Sequence, residues 1–145
     1  MELKGFSWRA SELKSGAKDV TYCFKYKIGV ANPYYIFYAL ANNKAVDTSS
    51  IGNPINTAQV EVLLNGESVE VDTVGTNSFN YKNGLCLRLK DFRVPVGSMI
   101  EVILKGVKNK SIPGKYSWKW ITTATCMGDP IEEVTNGRKV IHLVD

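Results

Sequence analysis

The segment "AQVEVLLNGESVEVDTV", residues 58–74, constrains the fold more than any other part of the chain. Two strand-like runs flank Asn65 and Gly66. A two-residue hairpin loop that matches the twist of its strands needs positive φ at both central positions. Asn and Gly adopt that conformation at the lowest steric cost. A chain organised around such a turn folds as antiparallel sheet.

Other segments repeat the pattern. "DVTYCFKYKIGV" sets Tyr22, Phe24, Tyr26 and Ile28 against Cys23, Lys25 and Lys27, the period-two signature of a half-buried strand. "GLCLRLKDF" alternates Leu85, Leu87 and Leu89 against Cys86, Arg88 and Lys90, and "SMIEVILKGV" puts Ile100, Val102 and Leu104 on one face. "PYYIFYAL" is apolar throughout and suits a strand buried on both faces. The tail, with Asn136-Gly137, reads as a closing hairpin. The best helix candidate, "ASELKSGAK" at 10–18, is short, contains Gly16 and reads better as a turn. About eight or nine strands at roughly ten-residue spacing predict an all-β, antiparallel β-sandwich, immunoglobulin-like in the broad sense. The polar segment 41–57 is the longest expected loop.

At 145 residues the chain suits one domain, residues 1–145, with a real core. Hydrophobic residues make up 44% and charged residues 22%, which argues against disorder. The net charge of +4, from 18 basic and 14 acidic residues, is spread along the chain and forms no basic tract, so no nucleic-acid partner is predicted. No apolar run is long enough to span a bilayer as a helix. "MELKGFSWRA" lacks the apolar core and cleavage site of a signal peptide. An intracellular chain and a piece of a longer exported protein both fit, so an extracellular or cell-surface location and a cytoplasmic one stay open.

Cys23, Cys86 and Cys126 form an odd set, with no CxxC. A Cys23–Cys86 bridge would suit an immunoglobulin domain, but the accompanying Trp and Tyr signals are missing, and buried thiols are the preferred reading.

The segment 84–125 runs through an apolar strand, the turn Val94-Pro95-Val96-Gly97, the strand and Gly-Val end at 100–107, then Asn109, Gly114, Tyr116 and Thr122-Thr123. This order resembles β-sandwich modules of bacterial and archaeal cell-surface proteins of the S-layer and adhesin type. Lys110 departs from the pattern, which has Pro after the Asn, and here a proline comes later, at Pro113. The resemblance implies a sandwich, an exported origin and a structural or binding role, and brings no catalytic residue with it. Pro113 presets φ ahead of a strand, and Tyr116 is expected to cover the loop while its hydroxyl bonds a backbone carbonyl.

No nucleophile elbow, P-loop or dinucleotide fingerprint occurs, and His142 is the single histidine. Period two groups His142 with Val140 and Val144, opposite Ile141 and Leu143, as a surface or packed residue rather than a base. Glu132 and Glu133 are adjacent on a strand and point to opposite faces, so they make no facing acid/base pair. No enzyme activity, cofactor or metal site is predicted.

The feature that invites a ligand is Tyr116, Trp118 and Trp120, alternating with Ser117 and Lys119 as three aromatics on one face of one strand. Such rings fill a sandwich core or stack on sugar rings. The expectation is a non-enzymatic structural or adhesive module of a surface or exported protein. Its partner would be a protein or a glycan, or a second copy joined through edge strands. The alternative is a carbohydrate-binding module using Trp118, Trp120 and Trp8, with Asn109 and Lys115 beside them. A third reading, a cytoplasmic or phage assembly protein, is motivated by three free thiols without a signal peptide. The loops 42–56 and 108–115 are the first places to look for binding.

Overall fold

Asn65 and Gly66 have φ of 51° and 87°, and Leu64 pairs with Glu67 across them, as a two-residue hairpin of primed type requires. The turn is also docked. Asn65 N donates to Met99 O at 2.9 Å, and Met99 N donates to Asn65 Oδ1 at 2.9 Å. The computed structural model describes residues 4–29, 36–41, 45–47, 59–75, 85–89, 95–117, 119–123, 132–133 and 140–145.

These residues form β1 (Lys4–Ala10), β2 (Val20–Lys27), β3 (Ile36–Ala41), β4 (Val46–Asp47), β5 (Val60–Leu64), β6 (Glu67–Val69), β7 (Val71–Gly75), β8 (Leu85–Leu89), β9 (Met99–Asn109), β10 (Gly114–Ser117), β11 (Lys119–Thr123), β12 (Glu132–Glu133) and β13 (Val140–Leu143). A six-stranded sheet has the order β1-β2-β9-β5-β6, with β4 also on β9. A five-stranded sheet has the order β12-β11-β3-β8-β7, and β10 pairs with β13 alone. Every strand pairing is antiparallel, so the all-β class holds. Among the described residues the strand segments outnumber the eight or nine expected: β4 and β12 have two residues each, one residue, Glu70, separates β6 in one sheet from β7 in the other, and β10 and β11 are parted at Trp118, which lies outside the described residues. Short pieces of this kind carry no periodicity to read.

The core lies on one face of the six-stranded sheet. Tyr22, Phe24, Tyr26, Ile100, Val102 and Leu104 are all fully buried, as the alternation predicted. Two bulges shape this face. Gly5, at φ 60°, and Phe6 sit opposite Tyr26, so β1 sends Phe6 and Trp8 inward. On β9, Lys105 and Gly106 sit opposite Thr21, with Gly106 at φ 68°. One extra residue in a strand reverses its alternation. The buried set therefore changes from Ile100, Val102 and Leu104 to Val107 and Asn109.

Several expectations need correcting. β12 pairs with β11 and β13 with β10, so these two described strands do not pair with each other; the turn expected at Asn136 and Gly137 lies outside the described residues. Cys23 is free and half-exposed, because period two turns it away from the core with Lys25 and Lys27. It forms no bridge to Cys86. Within the expected loop 41–57, Ala45 and Val46 are buried and β4 pairs with the end of β9; residues 42–44 and 48–57 lie outside the described residues. Segment 11–18 is a turn region as expected, bridged to the C-terminal strand at Lys14–Val144.

Candidate functional site

The segment that carries the expected stripe of Tyr116, Trp118 and Trp120 pairs with two different strands. Tyr116 lies on β10, which pairs with β13, whereas Trp120 lies on β11, which pairs with β3 in the five-stranded sheet. The register of β11 against β3 shifts between Lys119 and Ile121, with the extra residue on β3, where Ala39 and Leu40 sit opposite Trp120. Trp118 and the Trp120 side chain lie outside the described residues.

Tyr116 behaves as its sequence context suggested. Its ring packs, half-buried, against the core, and its hydroxyl donates to Ile112 O at 2.6 Å. That bond spans residues 112–116 and sets the end of the 110–113 loop, where Ile112 is 72% exposed.

Asn109, expected in a turn beside a ligand, ends β9 and is fully buried. Its Oδ1 accepts from the Tyr22 hydroxyl at 2.6 Å, and its Nδ2 donates to Glu12 O at 3.1 Å and Lys14 O at 3.0 Å. Its backbone N donates to Ala17 O at 3.0 Å. Both amide hydrogens and the amide oxygen are spent inside the chain. Asn109 therefore ties segment 12–17 to the sheet, and a buried polar group costs little only when satisfied in this way. Burial also pushes the Tyr22 phenol up to about 12 from 10.0, because the charged form would be desolvated. Gly106 is the sequence signal for this inward turn, since an isolated Gly in a strand pattern marks a bulge.

Lys115 and His142 are paired across β10 and β13 and both are exposed, while Ile141 and Leu143 beside His142 are buried. Trp8 is half-buried and stacks on Tyr22, with centroids 6.4 Å apart and planes at 23°; Tyr22 continues the stack to Phe24 at 6.2 Å and 7°. Of the five candidate residues, Trp8 and Asn109 both meet Tyr22, and Lys115 is on the separate β10–β13 pair.

The outward face of the six-stranded sheet was not singled out from the sequence. A half-open depression of about 100 Å³ lies there between β1, β2 and β9, lined by Ser7, Trp8, Arg9, Cys23, Lys25 and Glu101. Strand register brings the charged groups together: Arg9 is opposite Cys23, and Lys25 lies between Ser7 and Glu101. Among the described residues, no cluster of three metal-ligating side chains occurs, and no helix is long and apolar enough to cross a membrane. No known protein family matches the chain, and no curated protein sequence matches it.

Proposed function

We propose that the chain is a non-enzymatic structural or interaction module, built as an immunoglobulin-like β-sandwich in which the five-stranded sheet covers the buried face of the six-stranded one. The support for a second layer is one-sided burial. A sheet whose Tyr22, Phe24, Tyr26, Ile100, Val102 and Leu104 are all fully buried on one face needs a layer against it, and sheets meet about 10 Å apart. The one-residue crossover at Glu70 suits two successive layers.

The observation that carries the functional reading is Asn109. The most deeply buried polar side chain among the described residues spends its whole amide on holding segment 12–17 to the core. Polar groups invested in architecture, beneath an outer face of mixed charge, suit a module that holds shape and meets partners through its surface. Placement at a cell surface or on an exported protein belongs to the same proposal and rests on the sequence resemblance.

The carbohydrate-binding alternative keeps Trp118, Trp120 and Trp8 as its rings; half-buried Trp8 stacks inward on Tyr22 and borders the depression beside Ser7, Arg9 and Glu101. One experiment separates the two. Retention on a panel of insoluble polysaccharides is measured for the wild type, Trp8→Phe, Trp118→Phe and Trp120→Phe, with iodide quenching of tryptophan emission alongside. The module reading expects no retention and poorly quenched emission. Retention that any of the three substitutions abolishes would overturn it in favour of the glycan.

A further inference from the structure

The outward face of the six-stranded sheet carries two cross-strand rows at adjacent levels. One runs Arg9, Cys23, Ile103, Glu61 across β1, β2, β9 and β5. The other runs Ser7, Lys25, Glu101, Leu63 across the same strands. All eight residues have the parity opposite to the buried set, and all are half-buried or exposed. Both rows are polarised in the same sense. Cations lie on the β1–β2 side, carboxylates on the β9–β5 side, and in the first row Cys23 and Ile103 form an apolar middle.

Opposite charges directly across two strands ordinarily meet, because their Cβ atoms are about 5 Å apart. Lys25 and Glu101 are such a pair, yet among the described residues neither Lys25 nor Arg9 makes an ion pair. Among the described residues Glu61 is bound by Lys105, at 3.2 Å, in an exposed pair. The rows therefore carry Arg9, Lys25 and Glu101 outside any ion pair among the described residues.

We propose that this face packs against the same face of a second copy of the chain, about a two-fold axis that lies in the interface and runs along the strands between β2 and β9. Such an axis keeps each residue at its own level and exchanges left for right. Arg9 then faces Glu61 of the second copy, Lys25 faces Glu101, and Cys23 faces Ile103. A two-fold axis across the strands would instead lay the β1–β2 side over the β1–β2 side of the second copy and bring neither cation to a carboxylate, so the charge pattern selects one orientation as well as the partner. An isologous contact of this kind closes on itself as a dimer. Aligned sheets pack with their strands within about 30°, which this axis allows. The contact uses the sheet face, not the edge strands from which self-association was first expected. It rests on the interaction-module reading only in treating the outer face as a contact surface.

The test is the concentration dependence of mass by sedimentation velocity, from about 1 to 300 μM, on the wild type, Lys25→Glu, Glu101→Lys and the double swap. Like charges brought together across a contact cost enough to matter. Each single swap should weaken dimerisation at least about tenfold, and the double swap should return it to within about threefold of the wild type. Raised salt should weaken the wild-type dimer. Far-ultraviolet circular dichroism identifies any variant that has lost its sheet; Arg9→Glu with Glu61→Arg is the second swap pair if one has. A wild type that stays monomeric throughout, or a dimer indifferent to the swaps, overturns the proposal. Either result leaves the polysaccharide test, and the module reading it probes, standing on its own.

Discussion

The two halves of β9 obey opposite rules. Before Lys105 the even-numbered residues are buried, and all three, Ile100, Val102 and Leu104, are aliphatic. After Gly106 the odd-numbered residues are buried, and they are Val107 and the polar Asn109. The first half is held by removing apolar surface from water. The second is held by a closed set of hydrogen bonds between Asn109, Tyr22 and segment 12–17. Apolar packing tolerates small adjustments, whereas a polar group that loses its partner in the interior bears the full desolvation penalty. The polar half should therefore be the more fragile one.

The sharpest test replaces the hub. Asn109→Leu keeps the volume but strands the Tyr22 hydroxyl and the Glu12 and Lys14 carbonyls, and should cost about 4 kcal/mol in urea unfolding. Leu104→Ala, on the other side of the bulge, should cost about 3 kcal/mol. If Asn109→Leu proves the milder change, the contrast between the halves is broken.

Tyr22→Phe removes one bond of the hub and leaves the Asn109 oxygen without its donor, for a loss of about 1.5 kcal/mol at neutral pH. It also carries a pH signature. The fold favours the neutral phenol, so this contribution is complete below a pH of 10.0 and is lost as pH rises through about 12. Wild-type stability should fall across that window more steeply than that of Tyr22→Phe. Parallel curves would remove burial as the cause.

Gly106→Ala probes the bulge that separates the halves. A Cβ there would meet Gln59 Nε2 at an ordinary 3.8 Å, so the cost is that of a left-handed backbone rather than of a clash. About 1 kcal/mol is expected from thermal unfolding. A loss of several kcal/mol would mean that the register itself had slipped. Least affected should be Lys105→Ala, which breaks the exposed bond to Glu61. Its side chains are 49% and 39% accessible, and the change should stay below about 0.5 kcal/mol and be smaller still in salt.

Part of the molecule was legible residue by residue. The Asn65-Gly66 turn, the inward set of β2, the parity that sets His142 opposite Ile141 and Leu143, and the hydroxyl bond of Tyr116 each follow from a local rule, and the structure agrees with each. The candidate site was read less well. Asn109 reads as a loop residue in the sequence because Gly106-Val107 reads as the strand's end, whereas Gly106 marks a bulge inside a longer strand. Alternation also says nothing of the change of partner between β10, which pairs with β13, and β11, which pairs with β3. The charged rows of the outer face were invisible because Arg9, Lys25, Glu101 and Glu61 come from four strands.

By itself, then, the sequence determined the class, the period-two faces and one hairpin, since each depends on φ preferences and polarity within a few residues. Tertiary structure alone decided which strands became neighbours, where Asn109 points and which charges share a face. Those depend on pairing between distant segments, and a single bulge such as that at Gly106 exchanges every inward side chain beyond it for an outward one.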